Sequence, residues 1–159
     1  MATRQTVQPG ADPETFRAEI EQSGEQTAVV VSMRGSYLQA RAAVMAVESH
    51  LRVIGVTPAG PPFGRFESEQ HWDAGYPVPS GTRVEAPFDL VTLPAGPVAS
   101  LVVSGPWGQD SANRWASMLR WVVESGFVPA GPPIEVWSGE DGQPQTQSTE
   151  MRIAVAKAK

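Results

Sequence analysis

Glu135 stands in the stretch Pro129-Ala130-Gly131-Pro132-Pro133-Ile134-Glu135-Val136-Trp137. On a strand, a residue in this position points away from Ile134 and Val136 and to the same side as Trp137, because successive side chains alternate. A carboxylate beside an indole on the wall of a hollow suits a flat, apolar or cationic ligand. On an edge strand facing water, the same residues do nothing. Five tryptophans in 159 residues ask for a use. Trp107 follows a Gly-Pro break, Trp137 shares the side of Glu135, and both are candidate stacking walls, with core packing as the competing use. Trp115 reads as core and Trp121 as a cover for the sheet edge. Tyr76, Tyr37, Phe63 and Phe66 complete the aromatic candidates. His71 lies near Glu67, Glu69 and Asp73, but the spacing is not that of a metal site. No Ser-His-Asp set or phosphate loop is legible, and no cofactor is expected.

The elements that must position these residues come in two copies. Pro58-Ala59-Gly60-Pro61-Pro62-Phe63 recurs 71 positions later around Pro129, and Gly35-Ser36-Tyr37 recurs 70 positions later as Gly105-Pro106-Trp107. A near-constant offset is the mark of a duplicated supersecondary unit. The residue matching Glu135 is Gly64, so only the second copy carries the acid, while Phe66 matches Trp137. Each copy reads as strand, strand, helix, strand, strand. In the first, strands over 16–20 and 27–32 form a hairpin, a helix spans 38–51 with a stripe of Ala40, Val44, Val47 and Leu51 ended by Gly55, and strands follow at 62–66 and 72–78. In the second, a hairpin of 87–93 and 98–103 leads to a helix capped by Asp110 or Ser111 and running to Glu124, with Trp115, Met118, Leu119 and Val122 on its stripe. Strands at 133–138 and 149–156 follow. The expected fold is therefore α+β: two pseudo-symmetric β-β-α-β-β halves, 12–85 and 86–159, make an antiparallel sheet of about eight strands. Two helices cover one face, and a ligand cleft lies on the other face at the seam. Residues 1–11 read as a disordered tail.

Bulk properties narrow the function. The chain is 41% hydrophobic and 18% charged, which is globular composition, and it has no cysteine, so thiolate chemistry and disulfides are excluded. A net charge of −5 speaks against direct nucleic-acid binding. No apolar run reaches the ~20 residues of a membrane span, and no secretory signal is visible, so a cytoplasmic protein is expected.

Gly35-Ser36-Tyr37, Ala74-Gly75-Tyr76-Pro77-Val78, Gly105-Pro106-Trp107, Pro132-Pro133-Ile134-Glu135-Val136-Trp137 and Thr149-Glu150, taken in order, resemble the GyrI-like small-molecule-binding family over nearly the whole chain. Many members read Trp-Glu-x-Tyr around the acid; here Ile134 replaces the Trp, and Trp137 the Tyr. The resemblance implies a pair of halves related by a pseudo-two-fold axis, with a hydrophobic, aromatic or cationic ligand between them. Glu135 would be the ligand-contacting acid, with Trp137, Trp107, Tyr37, Phe66, Phe63 and Tyr76 around it. Such a module, with no room left for a helix-turn-helix, would sense or sequester a drug or act on a protein partner. The alternative, also implied by the family, is hydrolysis of cyclopropane-bearing DNA-alkylating antibiotics. There Glu135 would be the catalytic base and Tyr76 or Tyr37 its hydroxyl partner. A third reading is a protein-binding surface with a vestigial cleft.

Overall fold

The computed structural model describes residues 3–6, 17–68 and 70–159. Among them are ten strands and two α-helices: β1 (Thr3–Thr6), β2 (Arg17–Ser23), β3 (Gln26–Arg34), α1 (Ala40–Ile54), β4 (Phe63–Phe66), β5 (His71–Pro77), β6 (Phe88–Leu93), β7 (Gly96–Ser104), α2 (Ser111–Glu124), β8 (Phe127–Pro129), β9 (Ile134–Ser138) and β10 (Ser148–Lys157). The fold is α+β with antiparallel pairing, as the sequence pattern requires; the order strand, strand, helix occurs twice, followed by two strands (β4, β5) in the first copy and by three (β8, β9, β10), one more than expected, in the second. No helix among the described residues is long and apolar enough to cross a membrane.

The chain forms two compact units, 24–95 and 1–23 with 96–159. The expected hairpins are not made. β2 pairs with β7, Ile20 opposite Ala99, and β6 pairs with β3, Leu90 opposite Val29. Each opening strand is thus handed to the other copy, because the short links at 24–25 and 94–95 carry the chain between units instead of reversing it within one. Gly- and Pro-marked breaks between two β patterns signal a change of direction, not which strand becomes the partner. Phe16 and Asp12 lie outside the described residues. Thr3–Thr6, expected in a tail, ladder with β2.

In the unit 24–95 the strand order is β4, β5, β3, β6. α1 lays Ala43, Val47 and Leu51 on it, and all three are buried. They pack against Val29, Val78, Trp72 and Ala74, each large side chain contributing about 1.5–3 kcal/mol. The helix stops at Gly55, whose left-handed φ of 73° lets its N–H reach back to Arg52 and Leu51. In the other unit the order is β1, β2, β7, β10, β9. Met118, Trp121 and Val122 of α2 are buried against Leu101, Met151, Ile153 and Val155. Trp121 is therefore core rather than an edge cover.

The twin Pro-Ala-Gly-Pro-Pro segments do the same work. The Ala59 N–H donates to Pro77 O at 2.8 Å, and the Ala130 N–H to Ala154 O at 2.7 Å. In the second copy the segment interrupts one edge of β10: β9 pairs with its first half and β8 with its last residues. Prolines lack the donor that would continue the ladder.

Gly75 sits where β5 crosses β3, and a Cβ there would lie 1.8 Å from Val29 O. Gly75→Ala is expected to cost about 3 kcal/mol or more. Urea unfolding within about 0.5 kcal/mol of the parent would show that the two backbones do not approach this closely.

Candidate functional site

The ladder register decides where Glu135 points. It lies opposite Met151, and Trp137 opposite Thr149. Thr149 in turn faces Val103, and Met151 faces Leu101. These residues are on the α2 side of the sheet, since Met151, Leu101 and Val103 pack with Met118 of that helix. The acid is therefore on the helix side, not on the opposite face where the sequence pattern put the ligand. That opposite face of the unit carries a polar network. Ser100 donates to Glu150 at 2.8 Å, and Arg152 bonds Glu150 and Glu21 at 2.8 Å and Ser23 at 3.1 Å. Burial works against the Arg152 charge, but the flanking Glu150 and Glu21 outweigh it and raise its pKa above the usual arginine value.

Glu135 is buried, with 8% of its surface exposed. Its Oε2 accepts from Ser111 Oγ and from Trp115 Nε1, both at 2.8 Å, and its Oε1 accepts from Trp137 Nε1 at 3.3 Å. Ser111 and Trp115 are four apart on α2 and so share a helix face. Asp110 takes the N-cap position with a left-handed φ of 56° but makes no side-chain capping bond; its carboxylate accepts from Asn113 Nδ2 at 2.7 Å. The Ser111 hydroxyl, expected as a cap, goes to the carboxylate instead. Above Glu135 opens a recess of about 310 Å³, counted with the solvent space at its mouth. It is lined by Val103, Thr149 and Met151 from the sheet, the turn Ser104-Gly105-Pro106 with Gly108 and Gln109, and Ser111 and Arg114 of α2.

The other copy fills the corresponding space. Trp72 lies opposite Phe66 and Ala74 opposite Gly64, the registers that Thr149, Trp137, Met151 and Glu135 hold in the second copy. Trp72 is fully buried and donates its indole N–H to Gly35 O at 3.1 Å. Tyr37 packs on Phe66 and Trp72, with ring centroids 4.7 and 5.7 Å apart. An indole fills the first copy where a threonine and a carboxylate leave space in the second.

The sequence candidates are distributed accordingly. Trp137 holds Glu135. Trp107 belongs to the same unit but clamps strand ends: its indole N–H donates to Ser138 O at 2.9 Å and Ser148 O at 3.2 Å. Neither is among the residues lining the recess. Tyr37, Phe63, Phe66 and Tyr76 belong to the unit 24–95. Phe63 is buried, the Tyr37 hydroxyl donates to Ser68 O at 2.9 Å, and the Tyr76 hydroxyl donates to Glu48 at 3.0 Å, against α1. His50 is half-buried: it stacks on Phe88 at 4.3 Å, and its Nε2 has no hydrogen-bond partner among the described residues. Ser111, Arg114 and Trp115 were missed as site residues. The available signal was the i, i+4 spacing of Ser111 and Trp115 on the helix that follows the glycine turn.

No family model matches the chain, and no curated protein matches it in sequence. Solved structures do. The match to the C-terminal domain of EcmrR covers 90% of this chain and 99% of that one, with a TM-score of 0.80 at 13% identity. A hydrolase encoded by lin2189 from Listeria innocua matches over 87% of this chain and 91% of its own, with a TM-score of 0.64 at 13% identity. SAV2435, solved bound to tetraphenylphosphonium, matches over 87% and 93%, with a TM-score of 0.55 at 14% identity. The chain shares the fold of these structures. Where many members of the resembled family read Trp-Glu-x-Tyr, it has Ile134-Glu135-Val136-Trp137, and the indole N–H of Trp137 bonds the acid directly.

Two measurements check this geometry. Ser111→Ala removes one donor from a buried carboxylate and is expected to cost about 1–3 kcal/mol in urea unfolding; no loss means that the hydroxyl does not serve Glu135. For Tyr76, burial first and then the Glu48 carboxylate push the phenol up from 10.0 to about 12. A raised native value means that this contribution to stability is intact below pH 10 and is lost as pH rises toward 12. Of the two tyrosines in the chain, absorbance at 295 nm should show Tyr76 ionising late, and Glu48→Gln should bring it down. Two phenols ionising together near pH 10 would contradict the Glu48 contact.

Proposed function

We propose that this protein binds a compact, ring-bearing small molecule with a cationic, hydrogen-bond-donating head, seated in the recess over Glu135, and that it serves as a drug- or metabolite-sensing or sequestering module. The observation that carries this reading is the manner of Glu135's burial. Its hydrogen bonds come from a hydroxyl and two indoles, all neutral. Among the described residues it forms no ion pair. Neutral donors satisfy the lone pairs without forming an ion pair, so a cation entering the recess gains an attraction with no salt bridge to displace. A carboxylate has about four acceptor sites, and three are taken, which leaves room for one donor from a ligand. The tetraphenylphosphonium bound to SAV2435 supports a lipophilic cation as the ligand type for this fold.

A hydrolase reading draws on the 2.8 Å contact of Ser111 Oγ with Glu135 and on the Listeria relative described as a hydrolase. In that reading Glu135 and Ser111 position a water against a strained-ring drug. Tyr76 has no part in it, since its hydroxyl is engaged with Glu48. Unchanged drug mass after long incubation with a cyclopropane-bearing alkylating antibiotic removes this second reading.

The binding reading is tested with benzamidine, a one-ring cation. Trp115 and Trp137 touch Glu135, so occupancy should change indole emission. Glu135→Gln should weaken binding by about tenfold or more, the value of a hydrogen bond to a charged group. Equal affinity for both proteins would sink the assignment of Glu135.

A further inference from the structure

Building on the recess as a small-molecule site, we infer that Arg114 is its second recognition residue and that the ligand class is zwitterionic, with an anionic group for Arg114 as well as a cationic head for Glu135. Arg114 lines the same recess as Glu135. It lies four residues before Met118 and eight before Val122, both fully buried on the sheet side of α2, so it occupies the sheet-facing stripe of the helix. In the repeat its place is taken by Ala43, which packs against Trp72. Arg114 itself is half-buried. Its Nε donates to Gln109 O at 3.2 Å, and among the described residues it forms no ion pair with Glu135 or any other acid. The forked end remains for a planar anion, which it binds bidentately.

Gly108, Gln109 and Ser111, which lead into the first turn of α2, border the recess, and the Asp110 carboxylate stays at that turn, hydrogen-bonded by Asn113. One recess thus holds an uncompensated carboxylate and an uncompensated guanidinium that do not meet each other. A molecule carrying both charges satisfies both; a simple cation satisfies one and leaves the other beside it.

The test compares benzamidine, benzoate, and 3- and 4-carboxybenzamidine, titrated by indole fluorescence and calorimetry. At least one carboxybenzamidine should bind the parent protein about tenfold more tightly than benzamidine. Arg114→Met should erase that advantage to within about twofold, whereas Arg114→Lys should keep part of it, since it retains the charge but not the fork. Circular dichroism and melting of both variants check that they fold, and the wild-type ratio stands as a test without them. If benzamidine binds in a Glu135-dependent way but neither carboxylate isomer improves on it, the zwitterionic class is wrong and the recess reading survives. The same holds if Arg114→Met retains the advantage. If no probe binds, both readings fall together.

Discussion

A carboxyl group is held out of water by neutral donors and without an ion pair among the described residues. That constraint organises one whole unit of this protein. Bringing Glu135 into the sheet requires donors, and two of them come from α2, which must start close enough for Ser111 and far enough along for Trp115. The turn before the helix, its unusual N-cap and the strand register that sets Glu135 opposite Met151 are all consistent with that requirement. Uncharged donors satisfy the hydrogen-bonding part of the desolvation penalty and leave the electrostatic part open, and an open electrostatic deficit beside a solvent-accessible recess is what a binding site needs.

The duplication makes the point by internal contrast. Both units use a helix stripe over antiparallel strands and the same Pro-Ala-Gly-Pro-Pro turn closed by an alanine N–H. One closes the space under the helix start with Trp72 and leaves no side chain at Gly64. The other has Thr149 and Glu135 at those registers and Arg114 where Ala43 would be. The frame is the same; three positions turn a packed core into a recess. Trp137 and Trp107 keep aromatic bulk in the second unit, but their indole N–H groups are spent on the acid and on the strand ends.

Much of this was legible from residues alone. The period-2 pattern around Glu135 fixed its partner Trp137 and its separation from Ile134 and Val136. The 71-residue offset exposed the duplication, and Gly55 marked the helix end by backbone sterics that act locally. What was not legible depends on pairing at a distance. The exchange of β2 and β6 between copies leaves no local trace, since a short Gly or Pro link looks the same whether the chain turns back or moves on. The side of the sheet that meets the helix cannot be read from β9 alone, because a carboxylate at a mixed apolar face looks like a solvent-facing residue until α2 is in place. The roles of Ser111 and Arg114 follow from that same placement.

The strand exchange gives the chain a nested architecture. Ser23 lies directly opposite Gly96 across the β2–β7 ladder, and Gln26 opposite Leu93 across β3–β6. The segment 24–95 is therefore an insert whose entry and exit points are neighbours, and the flanking ladder would need only a tight reverse turn to be rejoined.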